Sequence, residues 1–598
     1  MPEPDAAHAD ACRLLAAVAE VEEAPLPPEV HFDRSRRRPV EPDDVVVSAH
    51  SRAKPNAPGV DYDASRELDQ EGSAVADYVI VGAGSAGCVL AARLSEDPDV
   101  EVLVLEAGGP DTAAELHVPA MFPLVFKSGL DWDLLGEPEP GLGGRRLYLP
   151  RGRVIGGSSS INAMIYLRGN RQDFDDWAAD GAEGWSYDEV LPYFKRSEDN
   201  ERGESEYHGV GGPLAVSESR SMTPLTEAML EAAAQAGFEH IEDLNVDRPE
   251  GVSRFQMLQR NGLRCSAADA FLHPADSRPN LEVRSGVFVE RIVFEGNRAV
   301  GVDLVANGVR ETVRAAREVV VSAGAYQSPV LLMLSGIGPE EDLAFFGMPV
   351  RENLPVGHNL QDHCMVNVNY LTDQQALFGI FTPENFALLE SEGRGPLTSN
   401  YPEAGGFFRT RRDLPAPDVE FHFAAAPFFD EGLTPPPDNG YAFGPVVIKP
   451  TSRGKVGLRT AMPDSKPTVL CNFLTTEEDR GSMLAGVRIA LEIASQPALK
   501  AVEREPFSVP ASDSEQDIFD WVRRAGQTVY HPTSTCAMGA VVDPELRVYG
   551  FDGLRVVDAS VMPTITRANT YAATIMIAEK AADLILGKAR LGAAEVSA

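Results

Sequence analysis

The clearest pattern of apolar and polar positions lies between residues 77 and 109. Tyr78-Val79-Ile80-Val81 is an unbroken apolar run, the mark of a strand buried on both faces of a parallel sheet. It enters Gly82-Ala-Gly84-Ser85-Ala86-Gly87, then an apolar helical stretch, Cys88–Leu94, then a second strand, Val100–Leu105, closed by Glu106. In this order the elements predict a dinucleotide-binding βαβ unit. Gly82 serves a tight turn, Gly84 lets backbone approach a pyrophosphate, and Gly87 lets the helix press on the strand. The helix aims its positive N-terminus at the phosphates, and Glu106 stands where an acid accepts from ribose hydroxyls. A GxGxxG alone could be a glycine-rich turn, and the whole unit still does not separate NAD from FAD.

The same reading predicts an α/β protein. Residues 281–305 are strand-rich, with Val289 to Ile292 and Ala299 to Asp303 flanking a turn at Glu295-Gly-Asn297. Glu318–Gly324 reads as a strand ending in a small-residue turn. Between 365 and 528 the texture changes to alternating strands such as Val419–Phe423, the Pro-rich loop Thr434–Pro437 and a turn at Ser452–Gly454. That pattern predicts an antiparallel sheet with helices, inserted into the nucleotide-binding part. The first texture returns at Gly553–Ala559, a strand reaching Asp558, and in a helix over Thr574–Leu586. Residues 1–76 lack sustained periodicity apart from a helical stripe at Leu14, Leu15, Val18 and Val21, and are expected to form an irregular arm. There are no internal repeats.

Composition narrows the function. A chain of 598 residues can bury two sizeable cores, and a formal charge of −37 argues against nucleic-acid binding. The six cysteines, Cys12, Cys88, Cys265, Cys364, Cys471 and Cys536, show no metal-ligand spacing, so free thiols and no metal site are expected. No apolar run is long enough to span a membrane, and the acidic N-terminus is unlike a signal peptide; a cytoplasmic protein is expected.

Gly152-Arg153-Val-Ile-Gly156-Gly157-Ser158-Ser-Ser-Ile161-Asn162 resembles the first signature of the glucose–methanol–choline (GMC) flavoprotein oxidoreductases. Gly324 to Gly338, including Ser328-Pro329 and Ser335-Gly336, is similar to the second. Tyr530-His531-Pro532 and Asn569-Thr570 resemble the family's catalytic end. The likeness spans about residues 77–590 and is strongest toward choline dehydrogenase-like, alcohol-oxidising members. It implies FAD in a Rossmann-like domain made of residues 77–221, 264–364 and 529–598, with an inserted α+β substrate domain of 222–263 and 365–528 on an antiparallel sheet.

The resemblance also implies roles. His531 would act as acid/base while an alcohol, primary by expectation, is oxidised to its carbonyl by hydride transfer to flavin N5; an imidazole near pKa 6.5 suits that proton. Asn569 would hydrogen-bond the substrate oxygen. FAD contacts would come from Gly82, Gly84, Ser85, Ala86, Gly87, Glu106, Arg153, Gly157, Ser158, Asn162, Val289, Asp558, Ala559, Asn569 and Thr570. The amides of the 156–160 loop would serve a pyrophosphate or a flat ring. The electron acceptor is left open between O2, a quinone and a redox protein, and oligomeric state is not determined. Alternatives within the family are a hydroxynitrile lyase and a photodecarboxylase, the latter opposed by the presence of His531.

Two departures matter. Ile161 stands where members with covalent flavin carry the linking histidine, so FAD is expected to be noncovalent. Met365 stands where choline-specific oxidases carry a glutamate for the trimethylammonium group, which argues against choline. Phe421, Phe423, Phe428, Phe429, Tyr441 and Phe443 are either core or pocket; two of them facing the flavin would favour apolar alcohols.

Overall fold

The computed structural model describes residues 75–592; the helical stripe expected near Leu14–Val21 lies outside them. Two sheets organise the chain. The first has seven strands. Leu281–Arg284, Val102–Leu105, Val75–Val81 and Val309–Val321 lie parallel in that order. Arg298–Ala306 and Val287–Glu295 continue it as an antiparallel meander, and Leu554–Val556 joins the far end of Val309–Val321 in parallel. Val79, Ile80, Val319, Val320 and Val321 are completely buried, as an apolar run covered on both faces must be.

One helix packs on this sheet and a second packs on that helix. Ser85–Leu94 packs along Tyr571–Ile585, and both are apolar on nearly every side. The charges that Tyr571–Ile585 does bury are paired: Glu579 meets Arg93 and Arg196, and Lys580 donates to the Gly184 carbonyl.

Local details depart from the sequence reading. The first helix starts at Ser85 rather than Cys88, because Gly84 is extended and coiling begins at once after it. The second strand starts at Val102, since Val100 belongs to a turn whose carbonyl, with those of Ser95 and Asp97, is held by the Asn280 amide. The C-terminal strand is only Leu554–Val556, and the last helix begins three residues before Thr574.

The second sheet has eight strands, all paired antiparallel. Its order is Glu503–Ser508, Val368–Thr372, Gly440–Val447, Val419–Ala424, Pro402–Phe408, Gly251–Arg254. Period two divides the faces of Val419–Ala424. Val419 lies toward the helix Glu477–Ala494, whose Gly486 leaves room for it, and Phe421 and Phe423 share that side. Phe423 meets Phe443 edge to face, and Tyr441 stacks on Tyr370. Glu420 and His422 point the other way, toward the cavity side.

Candidate active site

A single cavity of about 680 Å3 runs from the glycine turn to the cavity side of the second sheet. At the nucleotide end the backbone is jammed too tightly for side chains. Gly82 has φ +103°, and a Cβ on Gly87 would lie 1.9 Å from the Gly82 carbonyl oxygen. A Cβ on Gly157 would come within 2.7 Å of the Gly84 Cα, so the turn and the first signature loop touch through glycine alone. Gly82, Gly84, Ser85, Ala86, Glu106, Gly157, Ser158, Asn162, Val289, Asp558, Ala559, Asn569 and Thr570 all line the cavity.

Gly87 and Arg153 do not line it. Gly87 is buried under the turn, and the Arg153 guanidinium lies over the Trp132 ring, 4.9 Å from its centroid. The arginine on the cavity wall is Arg151. The loop 156–160 also differs from expectation. The amides of Gly157, Ser159 and Ile161 are spent on local backbone carbonyls, because the loop coils into a short helical turn, and that of Gly156 donates to the Ala83 carbonyl in the glycine turn. Its contribution is close backbone approach rather than a row of free donors.

The two acids are partly engaged already. Glu106 accepts from Ala83 N (2.9 Å) and Gly108 N (2.7 Å), and burial pushes its carboxyl up despite those bonds. Asp558 accepts from Gly324 N, Ser328 Oγ and Ser560 N, clamping two turns together. Both retain lone pairs toward the cavity, but each also holds local structure.

At the other end, Cys364–Met365 pairs with Gln527–Thr528, and the Val529 amide donates to the His363 carbonyl. This pairing brings Asp362-His363 beside Tyr530-His531. Asp362 Oδ1 accepts from the amides of both His363 and His531 at 2.8 Å, and Oδ2 accepts from Thr528 Oγ1 at 2.6 Å. Tyr530 adopts φ +68°, a left-handed conformation costly for a bulky residue. Thr528 Oγ1 accepts from its amide, Arg151 donates to its carbonyl, and its hydroxyl donates to the Glu431 carbonyl. Three bonds thus hold the strained residue that aims His531.

The His531 ring is held at both nitrogens. Asn569 Nδ2 donates to Nε2 at 3.1 Å, and Nδ1 lies 3.0 Å from His363 Nδ1. With the Asn569 amide in this orientation, Nε2 carries the lone pair and Nδ1 the proton, which it donates to His363. Burial, reinforced by His363, His422 and Arg151, holds His531 well below the ordinary histidine range. Burial likewise pushes His363 down to about 3, although the Ile448 carbonyl opposes this, and His363 Nε2 has no well-formed partner. Asp362 is pushed up to about 6, again by burial. The result is an imidazole at the cavity that burial holds in its neutral form, rather than one poised near pKa 6.5.

Sequence reading missed Arg151, Asp362 and His363 as members of this site. The Asp-His pair was visible but lies 168 residues from His531, and nothing local announces that a strand pairing will join them. Phe421, Phe423, Tyr441 and Phe443 are core, whereas Phe428 and Phe429 line the cavity. Among the described residues all five cysteines are buried and free. One group there could chelate a metal: Asp111, Asp269 and His273, which do not line the cavity. Hydrogen bonding to Asp111 raises His273 to about 9, so the group is a salt-bridged cluster as it stands.

A mixed sheet with a nucleotide-binding turn, whose cavity runs past a buried histidine beneath an antiparallel sheet, is the arrangement of a dinucleotide-dependent oxidoreductase. The GMC oxidoreductase profile matches residues 76–365 in its N-terminal part and 450–578 in its C-terminal part. The chain belongs to the GMC oxidoreductase family and is related to its choline dehydrogenase-like members. A GMC-type oxidoreductase of Mycobacterium tuberculosis is 45% identical over 85% of this chain and 99% of its own length. Human mitochondrial choline dehydrogenase is 43% identical over 88% of this chain and 93% of its own. The crystal structure of pyridoxine 4-oxidase from Mesorbium loti superposes with a TM-score of 0.79 at 34% identity, over 85% of this chain and 98% of that one. No helix of the described residues is long and apolar enough to cross a membrane.

The family's FAD fits these residues. The cavity has room for an elongated ligand, and a helix with no side-chain cap opens on it at Ser85. Ser322 Oγ and Asn569 Oδ1, both on lining residues, are buried without partners. Such orphaned groups are expected where a polar ligand completes the site.

Proposed function

We propose that the protein oxidises an alcohol, primary by preference, to the corresponding carbonyl compound with noncovalently held FAD. The observation that carries this reading is the buried His531 on the cavity wall, its Nε2 3.1 Å from Asn569 Nδ2 and its pKa held down by burial. Choline and pyridoxine, for which two of the relatives are named, both carry a hydroxymethyl group. Residues 77–221, 264–364 and 529–598 would hold the cofactor, and 222–263 with 365–528 would shape the substrate side.

When bound, FAD supplies a two-electron acceptor for the hydrogen leaving the carbinol carbon. His531 Nε2 accepts the hydroxyl proton. Proton acceptance at Nε2 displaces the Asn569 N–H, which becomes free to donate to the substrate oxygen as negative charge develops there. The His531 Nδ1–H bond to His363 keeps the ring in the accepting tautomer. Asp362 fixes both backbone segments, so ring position does not depend on substrate. Burial excludes water that would otherwise compete for the proton.

The test is anaerobic mixing of FAD-loaded protein with a panel of alcohols. Bleaching of the oxidised flavin colour, with carbonyl product in stoichiometric amount, is the expected result. Cyanohydrin cleavage without bleaching would replace this reading with that of a lyase. Reoxidation by O2, a quinone or a redox protein is then assayed on the reduced protein.

A further inference from the structure

The cavity changes character beyond His531. Of all its lining residues only Glu106, Arg151 and Asp558 carry a carboxylate or guanidinium, and none of these comes from 365–528. This occurs in a chain with 90 Asp and Glu residues and a net charge of −37. Two carboxylates of 365–528 sit behind the wall: that of Glu431 accepts from Arg145 and the Tyr148 amide, and completely buried Glu420 has its Oε1 3.1 Å from His422 Nε2. Two of the lining tyrosines have their hydroxyls engaged, Tyr401 on the Ala120 carbonyl and Tyr530 on that of Glu431. Both tyrosines therefore present rings rather than hydroxyls.

At the surface the channel opens between three apolar segments. Leu124, Phe378, Phe381 and Leu433 are 55%, 42%, 41% and 39% exposed, and all four line this one cavity. The segments pack on one another: Met121, Leu377, Ile380 and Ala426 share a cluster, and Gly432 seats against Phe428 and Phe126. Scattered exposed apolar side chains need no explanation, but four converging on the mouth of a catalytic cavity do.

We infer that the substrate is a primary alcohol with a long hydrocarbon chain, its carbinol at His531 and Asn569 and its tail lying along the aromatic wall to the Phe378–Phe381 rim. The inference rests on the proposed alcohol oxidation and names the substrate class of that site. A cationic alcohol would find no carboxylate among the lining residues of the substrate side, and a sugar would find only Asn367, His422 and Thr434 as polar side chains from 365–528 in a wall that is otherwise mostly apolar and aromatic. Each methylene leaving water on this wall contributes to binding, by about two- to four-fold per methylene.

The experiment measures anaerobic flavin reduction by the FAD-loaded protein with ethanol, 1-butanol, 1-hexanol, 1-octanol, 1-decanol and choline. The second-order rate constant should climb by about two- to four-fold per methylene through KM-like saturation constants, and choline should fall below 1-hexanol. Phe378→Ser and Phe381→Ser, both on the exposed rim, should each lower the 1-decanol value by about five- to twenty-fold and leave ethanol within two-fold. A flat chain-length series, or choline fastest of all, would overturn the inference while alcohol oxidation stands. Rim variants that slow ethanol as much as 1-decanol would also overturn it. Variants that affect only reoxidation by a decyl-quinone would assign the rim to the acceptor instead. Failure of every alcohol to bleach the flavin would remove the proposed function, and the tail inference with it.

Discussion

His363 Nδ1 lies 3.0 Å from His531 Nδ1, with the two rings at 89° and their centroids 5.1 Å apart. Only one proton fits between the two nitrogens, so the pair shares a single N–H and the protonation of each ring constrains the other. His363→Ala should leave the His531 N–H buried and unpaired, releasing the tautomer that exposes Nε2. Flavin reduction should fall by about 10- to 10³-fold with FAD retained, and the acid limb of its pH profile should move. His363→Gln, which restores an acceptor, should recover part of the loss. A His363→Ala protein with native rate and native pH profile would reduce His363 to packing.

His531→Ala should fold and keep FAD, since the ring contacts the substrate side of the cavity. Its flavin reduction rate should drop by about 10²- to 10⁴-fold, the usual contribution of a positioned base. Asn569→Ala should cost about 10- to 10³-fold. If both act on one oxygen, the double variant loses less than the product of the single losses. Anaerobic stopped-flow reduction at saturating alcohol reads all three, and an unimpaired His531→Ala protein would end its assignment as base.

The pH dependence follows from the direction of the shifts. His531 is held well below its ordinary range, so its neutral form persists and the acid limb of flavin reduction should lie clearly below pH 6.5. An acid limb at or above 6.5 would contradict a buried neutral base. Stability carries two opposing contributions. His363, folded pKa about 3, binds fewer protons folded than unfolded between pH 3 and 6.5, so its contribution is lost as pH falls through that window. Asp362, folded pKa about 6, binds more protons folded than unfolded between its ordinary 3.8 and 6, so it favours folding as pH falls there. Asp362→Asn removes the compensation, and Tm should decline more steeply on acidification from pH 6 to 4 than in the parent. Parallel Tm curves would show that Asp362 does not titrate in this way.

Glu106→Ala should weaken FAD binding by about 1.5–3 kcal/mol, because a charged acceptor near the ribose and two local backbone bonds are lost together. Glu106→Gln should be milder, since one acceptor oxygen remains for Gly108 or Ala83. Flavin fluorescence titration of the apoproteins gives both values. An Ala variant with native FAD dissociation would show that the acid serves the turn alone.

Ile161 packs with Leu116, Val125 and Val154 while touching the cavity, and it offers no nucleophile to the flavin. Acid denaturation should release free FAD into the supernatant. Flavin coprecipitating with the protein would disprove noncovalent binding.

The nucleotide half of the site could be read from the sequence because its chemistry is local. One turn and its flanking elements, residues 78–106, contain the strand, the glycines, the helix and Glu106, and period and spacing suffice to place them. The differences there are of two or three residues at element ends, or of arginine register: Arg153 leans on Trp132 and Arg151 takes the wall. Backbone direction at that loop depends on Gly157 meeting Gly84, a contact between residues 73 apart.

The catalytic half divides differently. The residue types, His531 and Asn569, and the family they imply were present in the chain itself, as was the antiparallel character of residues 365–528. Their working state was not. The proton position on His531, its neutrality and its aim come from Asp362, His363 and Arg151, which reach it through strand pairing and burial rather than through neighbouring sequence. The same holds for the aromatics. Alternation says that Phe421 and Phe428 are apolar and buried or half-buried, but only packing decides that one fills the space under a helix and the other lines the cavity. Side-chain identity and local period are properties of the chain; dielectric environment, tautomer and which face meets a cavity are properties of contacts between distant segments, and these exist only once the two sheets have closed on each other.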